Sequence, residues 1–395
     1  MIEFGFGVNH AYRFAKRAEV LLPDHPSLFS GLSGLSLLYS NLFLISKNEA
    51  DSKKAIELLE KSIELLSDGK ADLTLANGVA GVGWLVKYLI KKQILTPADA
   101  DVLADFDELL VQSLKIDALR ENSYYDFLFG LIGKGVYFFE DDRPVNAEAL
   151  ELIFQRLKRL AIEGKEGKLW YDILGKEQRN EQEYYYNYGL AHGLPSIVIF
   201  LSNLFDKGIQ REQCKEFTQS IISHLQKQRL ENEISEYPSF SSSRAPSRLA
   251  WCYGDLGITF AFIRAAKTLE KPLLMSEASS VTLASADRQL NRALIRTEDD
   301  SIENGFCHGT SGLAYLFNQL HSKIADNRLI EARDYWLSSC FGLGTKDILS
   351  REYFAERKMW RETGGLLNGY CGMGLVLLNL IEKKCDGLKN ITLTE

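Results

Sequence analysis

Cys252, Cys307 and His308 are the residues of this chain best suited to hold a soft metal ion, and each stands just before a glycine turn. The two stretches are Trp251-Cys252-Tyr253-Gly254-Asp255-Leu256-Gly257 and Phe306-Cys307-His308-Gly309-Thr310-Ser311-Gly312. Two thiols and an imidazole form a Cys2His set with no obvious fourth protein ligand, which matches a catalytic zinc that keeps one position open. Thiolates favour zinc over magnesium, calcium or manganese. A lone buried cysteine ordinarily behaves as a small hydrophobe, so the argument rests on register: Cys252 and Cys307 occupy the same position in consecutive units of a repeat. His192, in Ala191-His192-Gly193, shares the column of His308 without a cysteine before it. Its unperturbed pKa near neutrality suits proton transfer.

The elements that position these side chains form a seven-fold repeat. Its glycine turns begin at Gly31, Gly78, Gly130, Gly193, Gly254, Gly309 and Gly369, and the fourth, Gly193-Leu194-Pro195-Ser196, is degenerate. A period this long signals an array of supersecondary units. After each turn comes a run that is apolar on nearly every side, such as 35–45, 197–205 and 375–381, and such helices must be buried all round. Between them lie amphipathic helices, for example the stripe Ile56, Leu59, Ile63 and Leu66 closed by Gly69, and another opening at Thr96-Pro97-Ala98-Asp99. Seven such hairpins in a ring predict an all-α fold, an α/α toroid with seven inner and seven outer helices, forming a single domain over residues 1–395. An open solenoid would need polar end caps, whereas the first and last inner helices are as apolar as the rest. The recurring glycine is expected to serve positive φ and close backbone approach. Gly81-Val82-Gly83 and Gly133-Lys134-Gly135 look like pieces of phosphate loops but follow no strand, so they do not indicate nucleotide binding.

Two insertions interrupt the rhythm, near 164–187 and 235–247, and both precede units that carry chemistry. Aromatic loops at a catalytic rim suit the guidance of an extended peptide. Among the remaining cysteines, Cys214 and Cys340 fall on amphipathic helices and Cys385 near the end of the chain, all expected to be inert. Cys371, within a glycine turn, is a minor ligand candidate. His10, His25, His224 and His321 lie outside the pattern and are expected to be structural or surface groups.

With 395 residues, 46% hydrophobic and 25% charged, the chain has the composition of a soluble globular protein. Neither a signal peptide nor an apolar run of about 18 residues is evident, so neither secretion nor a membrane span is expected. Six cysteines are sparse for this length and suit a reducing, cytoplasmic setting. A net charge of -7 argues against a nucleic-acid surface.

The motifs Ala191-His192-Gly193, Trp251-Cys252-Tyr253-Gly254, Cys307-His308-Gly309 and Asn368-Gly369-Tyr370-Cys371-Gly372, with the seven-unit count, give a chain that resembles the lanthipeptide (lantibiotic) synthetase cyclases and the related LanC-like proteins. The resemblance extends over essentially the whole chain, and its length is similar to that of stand-alone cyclases. It implies one catalytic zinc on Cys252, Cys307 and His308, with His192 as the acid/base residue. It also implies roles for Tyr253, beside the first zinc cysteine, for Arg248 as the active-site arginine and for Asp126 as the active-site aspartate.

The reaction it implies is Michael-type addition of a peptide cysteine thiol to dehydroalanine or dehydrobutyrine, forming lanthionine or methyllanthionine rings in a dehydrated precursor peptide that carries a leader. Implied partners are a separate dehydratase and an exporter, whose complex would bring the protein to the membrane. A free thiol is only about 3% thiolate at pH 7, so zinc coordination would raise the available nucleophile. Two alternatives share these residues: a LanC-like transferase adding glutathione or another external thiol, and a non-catalytic peptide-binding scaffold that keeps zinc for structure. Protein prenyltransferases also combine an α/α barrel with zinc, but the paired cysteine column disfavours their Asp-Cys-His set.

Overall fold

The computed structural model describes residues 4–395 except 68, 70–71, 121–122, 180–182, 299–300, 343–347 and 355–356. Residues 180–182 of the 164–187 insertion thus lie outside the described residues. The described chain is all-α apart from three short hairpins. Its helices are α1 (Phe4–Leu21), α2 (Leu32–Ser46), α3 (Glu49–Ser67), α4 (Val79–Lys91), α5 (Val102–Asp117), α6 (Leu131–Phe139), α7 (Pro144–Leu160) and α8 (Ile173–Arg179). They continue as α9 (Leu194–Asp206), α10 (Arg211–Gln226), α11 (Asp255–Thr268), α12 (Leu273–Ala286), α13 (Thr310–Ile324), α14 (Asn327–Phe341), α15 (Tyr370–Ile381) and α16 (Gly387–Asn390).

The first glycine of every repeat is the N-cap of an apolar helix: α2, α4, α6, α9, α11, α13 and α15 in turn. A recurrent fold-back sets these starts. The N–H after the cap reaches a carbonyl seven residues earlier, as in Leu32 to His25 (2.9 Å), Leu131 to Tyr124 (2.9 Å) and Leu194 to Asn187 (2.8 Å). Each such bond satisfies one of the donors that a helix start leaves without an intrahelical partner. Backbone then lies on backbone, and this close approach accounts for the glycines more than dihedral freedom does. Only Gly254 among the seven caps has positive φ (94°), while the other six have φ between -117° and -141°. At Gly312, the second glycine of its pair, an added Cβ would sit 1.8 Å from the carbonyl oxygen of Phe306. The expected helix start at Thr96-Pro97 is a 3-10 turn, Pro97–Ala100, closed by a capping box in which the Thr96 N–H donates to Asp99 at 2.7 Å. The α-helix proper begins at Val102.

By contacts the chain divides into two compact units. The first comprises Met1–Phe106 and Ile295–Glu395. In it α2 packs on α3 and α4, α13 packs on α14, and α15 packs on α13, α2 and α1. The N-terminal helix α1 is thereby the amphipathic partner of the last glycine-capped helix, with Phe14 5.4 Å from the ring of Tyr370. Packing of α15 on α2 explains why the first and last apolar helices need no polar end face.

The second unit is Asp107–Leu294. Its α9 packs on α6, α10 and α11, with α7 on α6 and α12 on α11. The 164–187 insertion is more ordered than a surface loop: β1 (Ile162–Gly164) and β2 (Gly167–Leu169) form a hairpin against α10, followed by α8. Gly167, at φ 108°, closes its turn. Residues 235–247 hold no helix or strand and are fixed by bridges pairing Asn187 with Phe240 and Pro238 with Pro246. In the first unit, β3 (Thr297–Glu298) pairs with β4 (Ser301–Ile302), and β5 (Arg351–Phe354) pairs with β6 (Met359–Glu362). The last two pairs are hairpins that helical periodicity does not reveal.

Candidate active site

In the second unit, three glycine turns carry four of the candidate residues. Asp126 lies in the turn before α6 and is 3% exposed. Its Oδ1 accepts the N–H groups of Leu128 and Phe129, both at 2.7 Å, which locks the carboxylate in place. That leaves Oδ2 to meet Nδ1 of His192. His192 directly precedes the N-cap of α9, and its side chain is 25% exposed. Its ring stacks on Phe129, with centroids 6.2 Å apart and planes within 10°.

Cys252 and Tyr253 precede the N-cap of α11. The Cys252 carbonyl accepts the Ala191 N–H (3.4 Å), tying its turn to that of His192, and the Tyr253 ring centroid is 6.3 Å from that of His192. Burial alone depresses the proton affinity of His192, yet the charge and hydrogen bond of Asp126, with Cys252 and Asp172 adding, move its pKa above 6.5. A carboxylate on Nδ1 assigns that nitrogen as a donor and leaves Nε2 to exchange a proton.

Arg248, half-buried, lies on the segment entering α11. Its carbonyl oxygen would be 2.4 Å from a Cβ on Gly254, so the arginine's main chain is pinned to that turn. A buried ion pair supports the same segment. Arg288, 1% exposed, donates from Nη1 to Asp255 (3.2 Å) and from Nη2 to the Ser247 carbonyl (2.9 Å). Asp255 also accepts the N–H groups of Tyr237 (3.0 Å) and Glu236 (3.2 Å). The 235–247 insertion is therefore anchored to the first residue of α11.

In the first unit, Cys307 and His308 precede the N-cap of α13. The Cys307 N–H donates to Leu367 O at 2.7 Å, which holds the thiol-bearing turn against the turn before α15. The His308 side chain is 22% exposed, and its Nε2 is 3.7 Å from Oε1 of the buried Glu303. At 3.7 Å Glu303 adds negative charge near the imidazole without a hydrogen bond to it. By donor chemistry, two thiols and an imidazole fit zinc. The other thiols do not compete: burial pushes Cys214, Cys340 and Cys385 up to about 12 and Cys371 upward as well. Cys371 is fully buried in the first turn of α15.

Two residues of this region carry no motif signal. Asp172 and Asn187, both buried inside the 164–187 insertion, hydrogen-bond to each other at 2.6 Å, and Asn187 Nδ2 lies 3.4 Å from the Tyr253 hydroxyl. An acid after two aromatics in Trp170-Tyr171-Asp172 and an asparagine in a tyrosine-rich run have no spacing that would mark them.

Comparison with known proteins bears on the whole chain. The family model described as "Lanthionine synthetase C-like protein" matches residues 23–393. The nisin biosynthesis protein NisC of Lactococcus lactis subsp. lactis is 26% identical over 378 residues, covering 89% of this chain and 84% of that protein. The solved structure of nisin cyclase superposes with a TM-score of 0.79 at 20% identity, covering 97% of this chain and 95% of that one, so the two share a fold.

Proposed function

The chain belongs to the lanthionine synthetase C-like family, and from that premise we propose that it is a zinc-dependent cyclase closing thioether rings in a dehydrated precursor peptide. The observation that carries this reading is the Asp126–His192 pair on turns adjoining the Cys252 turn, within a chain similar to a protein named nisin cyclase. The ligands proposed are Cys252, Cys307 and His308, in a single α/α-toroid domain. Zinc bound there would favour the thiolate form of the peptide cysteine and position it.

The residues of this chain then handle protons and charge. As the peptide sulfur bonds to the β carbon of a dehydroalanine or dehydrobutyrine, the double-bond electron pair moves toward the α carbon and its carbonyl, giving an enolate. His192, protonated and held through Nδ1 by Asp126, gives its Nε2 proton to the α carbon. The proton lost from the thiol restores the imidazolium, so the cycle conserves protons. Arg248, with its main chain pinned at the start of α11, supplies positive charge for the developing enolate. Tyr253 supplies a hydroxyl near the imidazole. The upward shift of His192 supports its role as acid, since more of it is charged at neutrality.

The substrate in this reading carries a leader, and the tyrosine-rich part of the 164–187 insertion, with Tyr184 exposed, suits contact with an extended peptide. A separate dehydratase would prepare the substrate in the cytoplasm, and an exporter would complete the complex. No helix among the described residues is long and apolar enough to cross a membrane. The decisive experiment incubates the zinc-loaded protein with a dehydrated, cysteine-containing peptide and then alkylates free thiols. Ring closure leaves peptide mass unchanged and removes alkylation sites. Undiminished alkylation would reject the cyclase reading, and a glutathione adduct formed when that thiol is supplied would move the assignment to an external-thiol transferase.

A further inference from the structure

A buried polar chain lies behind Tyr253, and none of its members belongs to the motifs. Asp172, 3% exposed, accepts the Gly175 N–H on Oδ1 (2.7 Å) and the Asn187 amide on Oδ2 (2.6 Å). Asn187 is fully buried, and its Oδ1 accepts the Gly189 N–H at 2.8 Å. Its Nδ2 also points to the Tyr253 hydroxyl oxygen, 3.4 Å away. An amide nitrogen carries two hydrogens, so it can serve both acceptors. Flipping the amide would set its carbonyl against a carboxylate and its NH2 against a main-chain N–H, so its orientation is determined.

The tyrosine ring is confined as well. A Cβ on Gly189 would fall 2.6 Å from its Cδ1, and Phe240 meets it edge-on at 5.2 Å. We infer that Asp172, acting through Asn187, is a positioning residue that aims and polarises the Tyr253 hydroxyl beside His192. The inference rests on the cyclase reading for what that hydroxyl does. A phenol oxygen that accepts an N–H becomes a stronger O–H donor, and Tyr253 then donates to the enolate oxygen while His192 protonates the α carbon. The charge of Asp172 also contributes to the raised proton affinity of His192.

The test uses the full-length, zinc-loaded protein. Asp172→Asn opposes two NH2 groups and lowers both melting temperature and kcat. The exchange Asp172→Asn/Asn187→Asp rebuilds the buried pair and the acceptor for Gly189, but presents a carboxylate oxygen to Tyr253 in place of an N–H. The exchange is expected to recover the melting temperature while kcat stays about 10- to 100-fold down at little-changed KM, less than the ~10²–10³ lost with a whole oxyanion donor. Recovery of kcat together with melting temperature would make the pair merely structural and overturn the inference. Should the exchange fail to fold, Asp172→Asn is compared in the Tyr253→Phe background, where its effect on kcat should vanish; full multiplication of the two losses overturns it. A readout independent of turnover is the 13Cζ resonance of Tyr253, assigned by its loss in Tyr253→Phe. It should shift in Asp172→Asn, and an unmoved signal rejects the chain even if ring closure is seen. Absence of ring closure by the wild type with a shifted signal would instead reject the cyclase reading and keep the chain.

Discussion

Asp126 and His192 stand 66 residues apart in sequence and meet side chain to side chain, Oδ2 to Nδ1, across the turns that open α6 and α9. Because the other oxygen of Asp126 is held by two main-chain N–H groups, the imidazole is oriented by the fold itself. Replacing His192 with alanine should lower kcat for ring closure about 10²- to 10⁴-fold, the usual worth of a positioned acid. Its zinc content by elemental analysis should equal that of the wild type.

The same pair sets a pH dependence. Burial favours neutral His192, and Asp126 more than offsets it, so the acid form persists to higher pH than in an isolated histidine. An acid works while protonated, and activity therefore falls as pH rises through its folded pKa. Asp126→Asn keeps an oxygen for Leu128 and Phe129 but removes the charge, leaving only the smaller contributions of Cys252 and Asp172 against burial. The falling limb of the kcat profile should move to lower pH, with a larger deficit above neutrality than below it. An unmoved limb would assign the limb to another group.

Metal content separates ligands from packing thiols. Cys252→Ala, Cys307→Ala and His308→Ala should each lose zinc by elemental analysis, and ring closure with it. Cys371→Ala should retain zinc, since its thiol is buried in α15 and that burial raises its proton affinity and favours the uncharged thiol.

What was legible in the sequence follows from where each signal is stored. The glycine caps repeat because the fold-back recurs, with the same bond to a carbonyl seven residues earlier at Leu32, Val79, Leu131, Leu194, Thr310 and Tyr370, and the apolar helices after them read directly as buried. Cys252 and Cys307 stand out against a column otherwise filled by packing residues, and His308 follows Cys307 directly in the next column. Asp126 is identified only through family resemblance, because its partner His192 is brought to it by the packing of α9 on α6. Asp172 and Asn187 give no signal at all, since their meaning lies in their bond to each other and in that of Asn187 to a turn 66 residues further on. Of the two roles expected for the recurring glycine, positive φ occurs among the caps at Gly254 alone, whereas close approach of main chain excludes a Cβ even where φ is ordinary. The β5–β6 hairpin escapes because four-residue strands of mixed polarity have no helical or core periodicity.

The Asp255–Arg288 pair offers a prediction about stability and local order. Both side chains are withdrawn from water, so removing one leaves the other a buried charge without its counter-ion. Arg288→Met should lower unfolding free energy by about 3–5 kcal/mol. The loss should be largest locally, because Arg288 also holds the Ser247 carbonyl and Asp255 holds the Glu236 and Tyr237 N–H groups at the other end of the same segment. Arg244, exposed in that segment, is a trypsin site, and cleavage after it should accelerate in Arg288→Met before the rest of the chain is attacked. Asp255→Asn/Arg288→Met should recover part of the loss, as the amide carries no charge and still accepts the Tyr237 N–H. If the double variant melts lower than Arg288→Met by denaturant titration, the cost lies in lost packing or hydrogen bonds and not in the stranded carboxylate.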